Sequence, residues 1–367
     1  VNSAQINVGS LYVSNKTFSD DLLKSVNEST VLNDFMQEGS TGDAALMSLG
    51  NINAGEVTFE GNGRIVIDSE RLKDVEGTEK LTADKIFVNT KDENNLVIGY
   101  DGYDENKNNG SYNIASDSKY IATVNNTVFA QNKGYMWVED VNQLQAIGEN
   151  ANTLSGNYAL RNSIDATSTA TDTFISIGDH NNEFTGKFDG LDYSIFELNI
   201  DSSGKDYAGL FGVTDGAVIN NVTIVGGNIS GGSSVGAVVG YAKDTTISNV
   251  INSASVTGDA EVGGIVGTAT GSTITTAVNT GTVHSNGESD GQGGTVSNVG
   301  GLIGYMYNGT LNGNSYNLGD ASGDGYNVGG LVGSASNSTI GDGTNLVYNR
   351  MDVTGAYNVG GIVGNME

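Results

Sequence analysis

The sequence predicts an all-β solenoid, a parallel β-helix carrying a few short helices, and three observations lead there. A six-residue phrase returns at regular intervals, two further short strand motifs follow each copy in a fixed order, and glycine is abundant (54 residues) while proline is absent. The phrase reads VGAVVG at Val235–Gly240, VGGIVG at Val262–Gly267, VGGLIG at Val299–Gly304, VGGLVG at Val328–Gly333 and VGGIVG at Val359–Gly364, with a degenerate AGLFG at Ala208–Gly212. The closing glycines Gly212, Gly240, Gly267, Gly304, Gly333 and Gly364 are spaced by 28, 27, 37, 29 and 31 residues. A period in this range belongs to repeat architectures, in which no unit buries its apolar face alone and each stacks on its neighbours.

Each phrase supplies a first strand, with Val and the Leu/Ile–Val pair directed inward. After a polar turn comes a second strand: Ala217–Ile219, Thr245–Ile247, Ser272–Ile274, Gly309–Leu311 and Ser338–Ile340. A third carries an asparagine in register, Asn252, Asn279, Asn317 and Asn349. Three strands per unit, joined by Gly, Asx and Ser turns with no helix between, describe one rung of a β-helix. In-register stacking predicts an internal ladder of these asparagine amides. Proline absence suits a chain that is mostly ladder-bonded. The 37-residue interval holds an extra segment, His284–Ser297, which reads as a loop outside the coil.

Upstream of about residue 205 the phrase is missing. Residues 1–133 alternate apolar and polar residues as half-buried strands do, at Ile6–Ser14, Glu56–Asp68 and Lys85–Thr90, with shorter apolar runs at Asn95–Gly102 and Thr127–Gln131. Ser19–Phe35 has helix-like spacing behind a Ser19–Asp20 cap, and Tyr100–Gly110 reads as a surface loop. Residues 134–204 form a distinct lead-in unit. In it, Val141, Leu144 and Ile147 share a helical face that Gly148 ends, and strands follow within Asn157–Asp165 and Glu183–Ile200. The only tryptophan, Trp137, is expected to pack in the core at the front of this unit.

Composition narrows the function classes. The formal net charge is −27, from 43 acidic and 16 basic residues, and from Asp206 onward the basic residues are Lys243 and Arg350 alone. Such a surface repels phosphate backbones and anionic lipid heads, so nucleic acid and charge-driven membrane binding are poor readings. Without cysteine there are no disulfides or thiolate chemistry. The apolar runs fall far short of a membrane-spanning helix, and no membrane insertion is expected. The chain opens on Val1 and closes at Glu367, three residues after a repeat core, and reads as a fragment of something longer.

The phrases VGGIVG and VGGLVG, each followed by an S-T-I strand and a YN or VN strand, resemble the GLUG repeat. WVEDVNQLQAI (Trp137–Ile147) and GKFDGLDYSIFELNI (Gly186–Ile200) resemble the lead-in that opens such arrays. VNSAQINVGSLYVSNKTFSDDLL, from Val1, is similar to the latter half of the secretion domain of filamentous-haemagglutinin-like proteins, without the upstream NPNG part. The resemblance implies a right-handed parallel β-helix on a secreted or surface adhesin, exported across the outer membrane by a two-partner transporter. Its expected partners are surface glycans or proteins, or further copies of itself in a fibre.

No catalytic residues are expected. A self-assembling extracellular fibre or surface-layer subunit is one alternative and a carbohydrate-active β-helix enzyme another, but against the enzyme no acidic residues recur on successive rungs of one strand, and His284 reads as a surface loop residue. No cofactor is expected, with calcium the one candidate: Asp101, Asp104 and Glu105, or Glu288 and Asp290, supply oxygen ligands, although neither run fits a twelve-residue calcium loop. A single threonine recurs per rung (Thr246, Thr273, Thr310, Thr339), short of the T-x-T that ice-binding faces use. Glycosylation sequons include Asn15, Asn125, Asn221, Asn308 and Asn337.

Overall fold

The computed structural model describes residues 135–172, 174–289 and 295–367, and from the preceding part the backbone of its strands. The chain divides into two compact units, Val1–Tyr103 with Asn113–Trp137, and Asp104–Tyr112 with Val138–Glu367. In the first, Ile6–Ser14, Ile52–Gly61, Leu81–Thr90 and Tyr120–Val124 stack in parallel, as do Ala44–Leu46, Ile65–Asp68 and Leu96–Tyr100. The strands expected from alternation are therefore present. The helix expected at Ser19–Phe35 lies outside the described residues.

The second unit opens with a helix at Val141–Ala146. Asp140 caps it, its carboxylate accepting from the Gln143 N–H at 2.8 Å, and Gln143 Oε1 reaches back to the Glu139 N–H at 2.8 Å. Leu144 and Ile147 are buried, as the helical face requires, while Val141 is half-exposed. Trp137, in the strand just before, is buried.

Stacking begins earlier than the phrase does. Asn157–Ala159 pairs in parallel with Lys187–Asp189, and that strand with Val218–Asn220, so the lead-in is already coiled. These first turns are filled by aromatic rings: Phe184 and Phe188 pack on Phe211 at centroid distances of 4.7 and 5.4 Å. Phe211 stands where later phrases carry Val or Ile, so AGLFG is the copy that meets an aromatic core.

From there each turn of the coil has three sides. The first sheet stacks Phe211–Asp215, Val239–Lys243, Val266–Thr270, Ile303–Tyr307, Val332–Ser336 and Val363–Met366, all parallel. The second stacks the Thr/Ser–Ile and Asn-bearing strands, as in Thr246–Asn252 on Thr273–Asn279. The third, which sequence reasoning missed, pairs Ser255–Gly258 with Val283–Ser285 and Ala260–Gly263 with Thr295–Gly300. The phrase is therefore not one strand. Its opening Val-Gly closes a strand of the third sheet, its middle residues turn the corner, and its final Val-Gly starts the first sheet. The two motifs read as separate strands lie on one sheet, as two legs hinged at Asn221, Asn249, Thr276 and Gly313, all with φ between 54° and 65°.

The phrase glycines have ordinary φ; closeness is what requires them. A Cβ on the closing glycine would meet the backbone of the rung before, at 2.6 Å from Tyr207 for Gly240 and 2.5 Å from Asn298 for Gly333. A Cβ on the second glycine would meet the asparagine opposite it, at 2.5 Å from Asn279 Cγ for Gly264 and 2.6 Å from Asn349 Cγ for Gly330. The expected ladder is present inside the coil. Asn252 donates to Asn279 at 2.9 Å, Asn279 to Asn317 at 2.9 Å and Asn317 to Asn349 at 3.0 Å. Each amide also donates to the carbonyl two residues on and accepts from that residue's N–H, as Asn279 does with Gly281 at 2.8 and 3.2 Å. Asn279 thus uses both donors and both acceptor positions while fully buried.

Asn279→Ala strands its four partners in the interior and is expected to cost about 2–4 kcal/mol, measured by denaturant unfolding. Asn279→Asp keeps the shape but faces the Gly281 carbonyl and the Asn317 amide oxygen with a second acceptor. Its folded-state pKa is then raised, so the variant is most stable below about pH 4 and loses stability as pH rises. A flat pH profile contradicts the ladder. Thr276 is a β-branched residue held at φ 55° in a column otherwise made of Asn and Gly. Thr276→Asn is expected to raise stability by about 1 kcal/mol, read as a higher unfolding midpoint.

Candidate functional site

The outward face holds what the repeat leaves free to vary. Of the calcium candidates, Asp104 and Glu288 are described only as strand backbone, in Tyr103–Asp104 and Glu288–Ser289, while Asp101, Glu105 and Asp290 lie outside the described residues. Among the described residues no three His, Asp or Glu side chains gather as a metal site. The extra segment is shorter than the sequence suggested. Val283–Ser285 is a rung strand, in register with Val256–Gly258 and Ala321–Gly323, and Glu288–Ser289 turns back antiparallel onto Thr295–Val296. His284 is therefore a rung residue rather than a loop residue. Its Nδ1 is 2.9 Å from Ser322 Oγ, one turn on. Most of Tyr100–Gly110 lies outside the described residues.

Thr246, Thr273, Thr310 and Thr339 stack in one register column. Of the sequons, Asn221 has its amide engaged, donating to Asp189 Oδ1 at 2.9 Å and accepting from Asn249 at 3.3 Å. Asn308 and Asn337 are exposed at left-handed turns, with Asn337 donating to Asn308. Asn15 and Asn125 lie outside the described residues.

The richest outward chemistry lies at the corner between the third and first sheets. One column is the residue just before each phrase: Tyr207, Ser234, Glu261, Asn298, Asn327 and Asn358, all at φ between 46° and 66°. The pairing of the following residues places them on successive rungs. Asn358 donates to Asn327 at 2.8 Å, Asn327 to Asn298 at 2.8 Å, and Asn298 to Glu261 Oε1 at 3.5 Å. This is a second amide ladder, on the outside and ending on a carboxylate. Asn suits the column because it tolerates left-handed backbone. The recurring "NVGG" at Asn298, Asn327 and Asn358 was the signal for it.

Beside it, the first sheet carries Tyr241, Thr268, Tyr305, Ser334 and Asn365 in register. Tyr241 and Tyr305 are half-buried, while Thr268 and Ser334 between and beyond them are 7% and 6% exposed. Ser234 and Thr268 share a hydrogen bond of 2.8 Å. The His180 ring stacks on Tyr207 at 5.9 Å, and Tyr241 meets Tyr207 edge-on at 6.0 Å. Burial first, then Asp206, Tyr241 and Glu261, hold the Tyr207 hydroxyl above the usual tyrosine value. Burial first, then Glu367, Tyr307 and Glu261, do the same for Tyr305. Glu261 thus bears on both rings. The two cations of the array stand apart from this corner's hydrogen bonds: Lys243 pairs with Asp215 at 2.7 Å and Arg350 lies 5.2 Å from the Tyr348 ring centre.

Comparison with known proteins adds a limited frame. No protein-family model matches the chain. A stretch is 34% identical over 118 residues to Halomucin of Haloquadratum walsbyi, covering 29% of this chain and 1% of that protein. The chain thus spans about one hundredth of the curated relative it matches. Among solved structures it aligns with a "putative immunoglobulin A1 protease" from Bacteroides ovatus at 21% identity, over 63% of this chain and 71% of that one, with a TM-score of 0.49.

The raised tyrosines give a test of the corner. Tyr207 and Tyr305 are expected to ionise above about pH 10, followed by the ring signals of labelled tyrosine in NMR, and Glu261→Gln to bring both down. Because the folded state favours the neutral phenols, their contribution to stability is intact below about pH 10 and is lost as pH rises through the folded-state values. Ionisation of either ring below about pH 10, or no response to Glu261→Gln, contradicts the arrangement.

Proposed function

We propose that this chain is a segment of a surface-exposed or secreted, non-enzymatic adhesin, whose solenoid serves as a stalk that displays its outward columns to glycans or proteins on other surfaces. The observation that carries the reading is the contrast between the two sides of the rung. Inward positions repeat nearly residue for residue, whereas two outward columns at one corner change between rungs, through Tyr207, Ser234, Glu261 and Asn298 in one and Tyr241, Thr268, Tyr305 and Ser334 in the other. Both histidines in the chain are engaged with neighbours, His180 on Tyr207 and His284 with Ser322. A net charge of −27 keeps such a segment soluble and away from phosphate polymers. The local likeness to Halomucin, a protein named as a mucin, supports a place outside the cell. Export through a partner transporter in the outer membrane, and the GLUG and secretion-domain assignments, belong to the same proposal and rest on the sequence resemblance given above.

The test is attachment. Beads coated with the purified chain are expected to adhere to cells or to surfaces carrying extracellular glycans or proteins well above beads coated with an equally acidic, unrelated β-solenoid. Equal retention of the two sinks the adhesin reading. Sedimentation of the free chain at rising concentration separates adhesion to foreign surfaces from assembly into fibres, since only the latter yields concentration-dependent growth.

A further inference from the structure

The column Tyr241–Thr268–Tyr305 alternates large and small side chains on consecutive rungs. Strands one rung apart lie about 4.8 Å apart, so the two tyrosines are separated by about 10 Å across a single small residue. The register thus sets Thr268 in a recess of the column between Tyr241 and Tyr305, with the Tyr241 hydroxyl reaching over its rung to Thr270 Oγ1 at 3.4 Å. Its floor is polar and built in: Thr268 and Ser234, 7% and 6% exposed, are bonded to each other through hydroxyls that each keep a further acceptor position. At its side stand Glu261 and Asn298, the latter 9% exposed and joined to Glu261 at 3.5 Å. Aromatic walls with a few converging hydrogen-bonding groups are the usual make-up of a small-ligand site.

We propose that this recess binds one pyranose unit of an uncharged or amine-bearing polysaccharide. A pyranose offers an apolar C–H face to the tyrosine rings and hydroxyls at its rim to Glu261, Asn298 and the floor. The carboxylate at the edge selects donors, which sugar hydroxyls and ammonium groups provide. A uronate or sulfated sugar would meet Glu261 in a chain of net charge −27, with Lys243 already held by Asp215 and Arg350 placed on Tyr348. The polymer would run along the coil axis, because Asn298, Asn327 and Asn358 continue the line of amides past the recess, one per rung. The next recess, over Ser334, has Asn365 in place of a second tyrosine and Asn327 in place of the acid, so one sugar unit is gripped and its neighbours are only guided. This site deepens the adhesin reading and rests on it for its biological sense, but its binding is measurable alone.

The purified chain is titrated with three probes, a glucosamine hexamer, an N-acetylglucosamine hexamer and a galacturonic acid hexamer, followed by NMR of labelled tyrosine and threonine. The first two are expected to shift the Tyr241, Thr268 and Tyr305 signals and the third to leave them unmoved. Tyr305→Ala is expected to weaken binding about tenfold or more. Glu261→Gln weakens the amine-bearing hexamer more than the acetylated one, and Tyr348→Ala, on the second sheet, changes neither. Absence of shifts with both of the first two probes, shifts that map elsewhere, or preference for the uronate overturns the proposal. Because the wild-type shift map stands without any variant, a Tyr305→Ala chain that fails to fold does not protect it. Bead attachment is run alongside. Attachment without hexamer shifts at the recess sinks this site and leaves the adhesin reading intact, whereas hexamer binding without attachment sinks the adhesin reading alone.

Discussion

Two stretches of chain face each other across the interior of every full rung, the corner of the repeated phrase and the asparagine-bearing leg of the second sheet. How near they come is set by one contact, the second glycine of the phrase against the asparagine carboxamide. At Gly264 and Gly330 a Cβ would sit 2.5 and 2.6 Å from the Cγ of Asn279 and Asn349, and Gly301 faces Asn317 in the same way. Asn252, Asn279 and Asn317 are fully buried there, each bonded to its own backbone two residues on and to the next amide in the stack. In the first full copy Ala237 takes this place and Asn252 still joins the ladder; in the later copies a Cβ would crowd the amide, and without the ladder the interior holds backbone groups with nothing to bond. The valines and isoleucines then fill what space remains, which explains why the interior admits little besides Val, Ile, Leu and Ala once the phenylalanines of the first turns are left behind.

Much of this was legible in the chain itself. The rung interval, the parallel stacking and the inner amide ladder all follow from aligning what comes after each phrase, because in-register stacking turns a repeated residue into a column. Two matters were not legible. The phrase spans a corner, which its letters do not reveal, since Val-Gly-Gly reads as well along a strand as around a bend. The third sheet was hidden because its strands, such as Ser255–Gly258, share only an alternation too short to stand out in a Gly- and Ser-rich background. His284 was misplaced for the same reason: Val283–Ser285 belongs to that sheet. The outer corner was half-visible. The asparagines before three phrases recur plainly, but that Tyr207, Glu261 and Tyr305 come together depends on which residues the left-handed backbone turns outward, and that is a property of the folded coil.

The division of labour between inside and outside follows from these facts. An interior this narrow fixes its residues by shape, so the freedom to vary lies outside, at columns whose neighbours are one rung away and in register. A site assembled there draws each group from a different rung. Tyr241, Thr268 and Tyr305 come from three consecutive copies of the repeat, and no single copy contains the site.

The two amide ladders also differ in sense. Inside, every asparagine hands its hydrogen to the rung that follows in the chain, Asn252 to Asn279 to Asn317 to Asn349. Outside, the hydrogens pass the opposite way, Asn358 to Asn327 to Asn298, and the short row from Asn249 through Asn221 does likewise. The outer rows both end on a group that can only accept, Glu261 in one and Asp189 in the other. A carboxylate at the end of a row of amides leaves its neighbour one choice of orientation, and each amide then dictates the next. The coil thus carries opposed rows of bond dipoles whose fields along its axis partly cancel. A single acidic residue acts as the terminus that sets the polarity of everything stacked behind it.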